Sequence, residues 1–244
     1  MDIKDQFFED GFVVVDDGDL VEIAGLFVRT LKVDKHSHPD NNIVQIVSNN
    51  EMFGTEEVPW HNDFSHSRGK YDGSGMKCII NEPDLATMFV DTQKIVEKLN
   101  QKEISELEQT TAWYSRPDQY ESCFNERQNE AIDKLSMKRP LIFEHPISNK
   151  KVLYFSPATM VGVDKPFDLP YYMSMCESFA FSHKWKPNQV VLWDNLRYMH
   201  RRNSYENTGY RETVSYTHLR AHETREDRGV RDRVEKKKKV GGGG

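Results

Sequence analysis

Trp60-His61-Asn62-Asp63 sets an imidazole and a carboxylate two residues apart in one short extended segment. Residues i and i+2 of a strand face the same side, so both side chains can grip one ion. A second imidazole would complete the set. The candidate in a comparably strand-like setting is His200, closing Val190-Val191-Leu192-Trp193-Asp194-Asn195-Leu196-Arg197-Tyr198-Met199. Two histidines and a carboxylate form a facial triad that leaves three iron positions open. HxD alone is a weak signal, since a capped turn with a partly buried histidine explains it as well. Context reverses that preference: His200 follows a buried strand and a polar turn 139 positions after His61, and the basic Arg211 stands eleven positions further on.

The surrounding pattern is mainly strands. Residues 3–10 read as a short helix stopped by Gly11, and the β-branched run Phe12-Val13-Val14-Val15 as a buried strand. Leu20 to Leu31 has nearly helical apolar spacing, Ile43 to Val47 is a strand, and Met76 to Ile80 is another. Between Ser65 and Gly75 a glycine-rich polar stretch reads as a loop beside the metal, either a solvated connection or a substrate lid. Helices are expected from Asp91, around Ile104 to Leu107, from Asp118 to Met137 and from Pro170 to Phe181. Leu141 to Pro146 and Val152 to Phe155 flank a turn in which Asn149 can take the left-handed conformation. Pro187-Asn188 suits a type II turn, and the apolar Gln189 to Trp193 should be a central strand. Many short strands with helices as insertions predict a mainly β fold, a sandwich or jelly roll with the metal at its open end.

With 244 residues, 37% hydrophobic and 11% aromatic, the chain is long enough for one large domain. No apolar run approaches the roughly 18 residues needed to cross a bilayer, and the N-terminus lacks a basic region followed by an apolar one, so a cytoplasmic protein with no membrane partner is expected. Cys78, Cys123 and Cys176 have no metal-type spacing and read as reduced structural thiols. The net charge of −6 is uneven: residues 214–244 hold nine Lys/Arg and five Asp/Glu, leaving 24 against 34 in residues 1–213, a balance of −10. That body should not bind nucleic acid non-specifically.

Beyond about Thr213 the sequence changes character and ends in Lys236 to Lys239 and Gly241 to Gly244. Runs of one residue look compositional rather than selected for packing. The expectation is a domain spanning 1–213 and an atypical tail, 214–244, that resembles translated sequencing adapter with poly-A and poly-G. His218 and His222 share a helix-like spacing there, but no Glu follows His218 as the zinc-protease pattern requires.

Over roughly residues 5–213 the sequence resembles the taurine-dioxygenase-like (TauD/TfdA) family of Fe(II)- and 2-oxoglutarate-dependent oxygenases. The residues that carry this are Pro59 to Asp63, Ala86 to Thr92, His145 to Tyr154, and Trp193-Asp194-Asn195 leading to His200 and Arg211. The resemblance implies a double-stranded β-helix, the clavaminate-synthase-like jelly roll. It implies His61, Asp63 and His200 as iron ligands, Arg211 pairing the distal carboxylate of 2-oxoglutarate, and Thr87 donating a hydroxyl to it. Neutral imidazoles and a carboxylate suit Fe(II), and a guanidinium can hold a carboxylate by two parallel hydrogen bonds. The implied activity is dioxygenase chemistry with Fe(II), 2-oxoglutarate and O2, hydroxylating a small-molecule metabolite and releasing succinate and CO2. Halogenases similar to this family carry a small residue where Asp63 stands, which points away from halogenation. Asn188 replaces a usual glycine, and Ser215 stands where many relatives carry an arginine. The alternative from another class is a non-catalytic jelly-roll metal-binding protein, which has no use for Arg211 facing the metal.

Overall fold

The computed structural model describes residues 2–27, 37–38, 41–49, 54–66, 73–115, 137–206 and 208–219. The end of the expected 20–31 helix, positions 67–72 of the candidate lid, the 118–137 stretch as far as 136, Cys123, and the tail from 220 including His222 lie outside those residues.

In chain order the elements begin with α1 (Ile3–Asp10), β1 (Phe12–Val15), α2 (Leu20–Gly25), β2 (Ser37–His38), β3 (Asn41–Ser48), β4 (Val58–His61), β5 (Gly73–Asn81) and β6 (Ala86–Asp91). Next come α3 (Thr92–Val96), α4 (Gln101–Glu108), β7 (Thr111–Tyr114), β8 (Met137–Pro140), β9 (Ile142–Glu144), β10 (Lys151–Leu153) and β11 (Met160–Val163). The chain then runs through α5 (Leu169–Phe179), β12 (Phe181–Lys184), β13 (Val190–Asp194), β14 (Tyr198–Arg202) and β15 (Arg211–Leu219). Local chemistry sets several boundaries. Gly11 closes α1 at φ 69°, where its missing Cβ removes the steric penalty. Asn100 and Glu103 form a capping box at α4, and Asp91 caps α3 through the Gln93 N–H. Asn149 (φ 54°) and Asn188 (φ 66°) take the left-handed turn positions expected of them.

Two antiparallel sheets enclose the site. The larger has the order β1-β13-β5-β15-β3-β2, and the smaller β12-β6-β14-β4. This crossed-over, antiparallel order is the jelly roll that the strand pattern implied. Between the sheets lies a cluster of Cys78, Phe89, Trp185, Val191, Trp193 and Tyr198. Phe89 on the smaller sheet meets Trp193 on the larger edge to face at 5.4 Å, and Phe12 at 4.9 Å. A second and larger cluster, running from Trp60 through Leu141 and Tyr154 to Cys176, packs α3 to α5 against the outside of the smaller sheet. Fully burying each such side chain contributes about 1.5–3 kcal/mol, so these clusters hold the two sheets and their helices in place. Among the described residues no helix is long and apolar enough to cross a membrane. Cys78 and Cys176 are free and buried.

Three expectations need correction. β1 is not buried throughout: Val14 is exposed, because β1 is an edge strand that, among the described residues, pairs only with β13. β13 is buried at all five positions and flanked by β1 and β5, as a central strand should be. β5 begins at Gly73, so residues 73–75 belong to a strand and not to the preceding loop. Gly75 reads as loop sequence but sits at a close approach, since a Cβ there would come 2.8 Å from the Leu192 side chain and 3.1 Å from that of Leu20. Thirdly, Asp63 lies in the turn after β4 and not in the strand itself. β15 pairs with both β3 and β5 and runs on to Leu219, so the change of sequence character near residue 213 falls within a strand.

Candidate metal centre

β4 and β14 are neighbours in the smaller sheet, with His200 directly opposite His61. Their rings stand 4.1 Å apart between centres. Asp63, carried round the turn, brings Oδ1 to 3.6 Å from His61 Nε2 and 3.7 Å from His200 Nε2. One ligand atom from each of the three residues lies within 4.8 Å of the others. The structure therefore brings together the three side chains expected to share an ion, although the chain reaches Asp63 by a turn.

Each donor is held. His61 Nδ1 donates to the Pro59 carbonyl at 2.8 Å, which leaves the lone pair on Nε2 facing Asp63. The ring of His200 is oriented by packing, stacked on Phe89 at 5.7 Å and set against Trp193 at 4.9 Å. Ser74 on β5 donates to Asp63 Oδ2 at 2.7 Å, leaving Oδ1 toward the histidines. The peptide of Asp63 is clamped by the Asn195 amide, which accepts from its N–H and donates to its carbonyl, both at 2.8 Å. Asn62 turns the other way, donating to the carbonyls of Asn195 and Tyr198, so it knits the ligand turn to the start of β14. Behind it the hydroxyls of Ser65, Ser156 and Thr159 bond one another, and Ser156 accepts from the Asn62 N–H. His145 Nε2 meets Asp194 Oδ2 at 2.9 Å with both side chains buried, fixing the β9–β10 turn against the end of β13.

The protonation states suit a cation. Burial alone would raise the Asp63 carboxyl, but His200, His61 and the Ser74 hydroxyl outweigh it and bring the group down to about 2. Burial, reinforced by His61 and opposed by Asp63, lowers His200 to about 3, so its imidazole is neutral near pH 7. A neutral imidazole and an ionised carboxylate are the forms a divalent metal needs. The same shifts set an acid limit for the metal-free protein. Below the unfolded histidine value of 6.5 the unfolded chain takes up a proton that folded His200 refuses until about 3, so stability falls as pH drops through that window. Asp63 acts in the same direction between 3.8 and about 2. The urea midpoint is expected to fall steadily below pH 6.5, and a midpoint level down to pH 4 would contradict the burial of a neutral His200.

Arg211 and Thr87 are both buried. Thr87 shares the inner face of β6 with Phe89, two residues away, and its Oγ1 accepts from Trp185 Nε1 at 2.8 Å. That contact leaves the hydroxyl hydrogen available to an acceptor. Arg211 is 5% exposed, and no carboxylate among the described residues lies within ion-pair reach of its guanidinium. Burial and the nearby Arg202 push it down to about 10, with Tyr205 and Cys78 opposing. Arg202, also buried, donates to the carbonyls of Gly54 and Glu56 and stacks on Tyr205 at 4.8 Å. Two buried guanidiniums near enough to feel each other's charge form a natural seat for an anionic group.

Sequence reasoning did not find Ser74, Arg202, Trp185 or Glu177. Ser74 hides in a Gly-Ser-Gly run that reads as loop, and Trp185 meets Thr87 only because β12 pairs with β6. His200 and Arg202 alternate along β14, a period of two that could have marked Arg202 as sharing the face of His200.

The family described as taurine catabolism dioxygenase TauD, TfdA family matches residues 2–220. Pentalenolactone F synthase of Streptomyces arenae is 22% identical over 203 residues, covering 70% of this chain and 67% of that protein. A taurine dioxygenase from Burkholderia xenovorans superposes with a TM-score of 0.67 at 16% identity, over 86% of this chain and 75% of its own. AAD-2, solved in complex with Mn(II) and N-oxalylglycine, gives a TM-score of 0.67 at 19% identity, over 91% and 87%. At these identities the structural likeness establishes the fold, the double-stranded β-helix.

Proposed function

The chain belongs to the taurine catabolism dioxygenase TauD/TfdA family, and from that premise we propose that it hydroxylates a small-molecule metabolite with release of succinate and CO2. It is a 2-oxoglutarate-dependent dioxygenase that uses Fe(II), 2-oxoglutarate and O2. In this reading His61, Asp63 and His200 hold the iron, Arg211 pairs with the distal carboxylate of 2-oxoglutarate, and Thr87 donates its hydroxyl hydrogen to the same group. When bound, Fe(II) would supply the Lewis-acid and oxygen-activating chemistry that the keto acid and O2 require. One oxygen atom of O2 ends in the new carboxylate of succinate, the other in the hydroxyl of the product.

The observation that carries the proposal is the meeting of His61 Nε2, His200 Nε2 and one Asp63 oxygen within 4.8 Å, at one end of an interior that also buries Arg211. The chain's own residues prepare that end. The Pro59 carbonyl holds His61 in the tautomer with Nε2 free, and Ser74 occupies one Asp63 oxygen and leaves the other to the metal. Phe89 and Trp193 line the space beside His200 and keep water out. A carboxylate at position 63 fills the place a halide would need, which favours hydroxylation. Reduced, buried Cys78 and Cys176 agree with a cytoplasmic setting.

The test is oxygen-dependent turnover of 2-oxoglutarate in the presence of a metabolite library, with succinate and products read by mass spectrometry. Succinate should rise in step with a product one oxygen atom heavier than its parent. A folded, iron-loaded protein that never forms succinate would favour the non-catalytic reading.

A further inference from the structure

The outer face of the ligand-bearing strand pair carries a contact the chemistry above does not use. Glu177, on α5, accepts from Trp60 Nε1 at 2.7 Å through one oxygen and from Arg201 Nη2 at 2.9 Å through the other. The Arg201 guanidinium also lies 5.3 Å from the centre of the Trp60 ring. Trp60 precedes His61 and Arg201 follows His200. Neighbouring residues of a strand face opposite sides, so the two positions joined by Glu177 back directly onto the two imidazoles.

This place in the sheet needs such a tie. The register of β14 on β4 pairs His200 with His61 but slips before Arg202, which pairs with Val58. A slip of this kind weakens the backbone's hold on register at the very residues that must keep two ring nitrogens at a metal's spacing. Trp60 is 1% exposed and packs in the large cluster together with Tyr172 and Cys176 of α5, so the tie is anchored in core. Trp60 and Arg201 outweigh burial and keep Glu177 ionised, with its carboxyl below the usual value.

We propose that Glu177 is a positioning residue of the metal centre, a latch that spans β4 and β14 from behind and sets the separation of His61 and His200. The proposal rests on the reading of those two histidines as metal ligands. Loss of an outer-shell partner of a metal ligand lowers metal affinity by about 10- to 100-fold, and the Glu177 latch, one residue removed from each ligand, belongs at the lower end.

Co(II) serves as the probe, because its visible bands report coordination geometry without turnover. Glu177→Ala should bind Co(II) roughly tenfold more weakly than the wild type and with altered bands. Glu177→Gln should fall between, since its amide oxygen still accepts from Trp60 while the charge facing Arg201 is lost. Phe167→Leu provides the comparison: it loosens the stacked Phe167–Tyr172 pair, 4.9 Å between rings, that packs the same helix. It should lower thermal stability and leave Co(II) affinity and spectrum unchanged. A Phe167→Leu protein that loses Co(II) affinity as Glu177→Ala does would overturn the latch in favour of a merely structural contact. So would Glu177 variants with wild-type affinity and bands, in a protein whose Co(II) binding is lost in His200→Ala. A wild type that takes up no Co(II) would overturn the ligand assignment itself, and the latch with it.

Discussion

The His200→Ala protein is expected to stay folded and to lose the weak visible absorption that develops when Fe(II) and 2-oxoglutarate are added anaerobically to the parent. His200 supplies one of three donors, and its ring is held by Phe89 and Trp193 with no slack for a neighbour to replace it. Two donors remain, so the fall in metal affinity should exceed the roughly hundredfold that marks the upper end for losing an outer-shell partner. Succinate formation should fall at least as far. The packing cost is modest, about 1–3 kcal/mol, the usual range for truncating one buried side chain of this size. The pH dependence separates a lost ligand from a broken fold. Folded His200 stays neutral down to about 3 while an unfolded histidine protonates near 6.5, so the parent loses stability across that window and the alanine protein should lose less. An undiminished absorption band in His200→Ala would remove His200 from the ligand set.

What could be read before the fold was seen was local. Gly11 as a helix stop, Asn149 and Asn188 as left-handed turn residues, and the apolar run into Trp193 each act over a few residues, and each was legible. The three residues of the candidate centre were legible because HxD is a short pattern and His200 follows a recognisable strand and turn. The supports were not. Ser74 reaches Asp63 because β5 and the turn after β4 converge, and Glu177 reaches Trp60 across 117 positions of sequence. Contacts of that kind leave no period in the chain. Val14 misled for a related reason: a β-branched run looks the same in an edge strand as in a central one, and it is the place of β1 at the sheet edge, with β13 its one partner among the described residues, that exposes it. Gly73-Ser74-Gly75 misled in the opposite sense, since small residues that signal a loop here open a strand, and at Gly75 the Leu192 and Leu20 side chains approach closely.

Arg211→Met should separate function from stability, moving the two in opposite directions. In the protein as it stands the Arg211 guanidinium is carried into the interior, lowered to about 10 by burial and by Arg202, and no described carboxylate is within ion-pair reach. A charge held in this way makes the metal-free protein less stable than an apolar side chain of similar length would, since burying ionic groups gains nothing over good hydrophobic packing and often loses about 1–4 kcal/mol. Methionine should therefore leave the melting temperature of the metal-free protein level or higher. Binding should suffer, because cutting one partner of a buried charge pair costs about 2–5 kcal/mol. At a tenfold change for each 1.4 kcal/mol, the KM for 2-oxoglutarate should rise roughly 30-fold to several-thousand-fold. Arg211→Lys should lie between, since an ammonium keeps the charge and loses the two-pronged geometry. Adding 2-oxoglutarate with Mn(II) at about 100 times the parent's dissociation constant should stabilise the parent by about 2.7 kcal/mol and the methionine protein by less than about 1 kcal/mol. A variant less stable than its parent, with an unchanged KM, would make Arg211 a structural residue and send the distal carboxylate elsewhere.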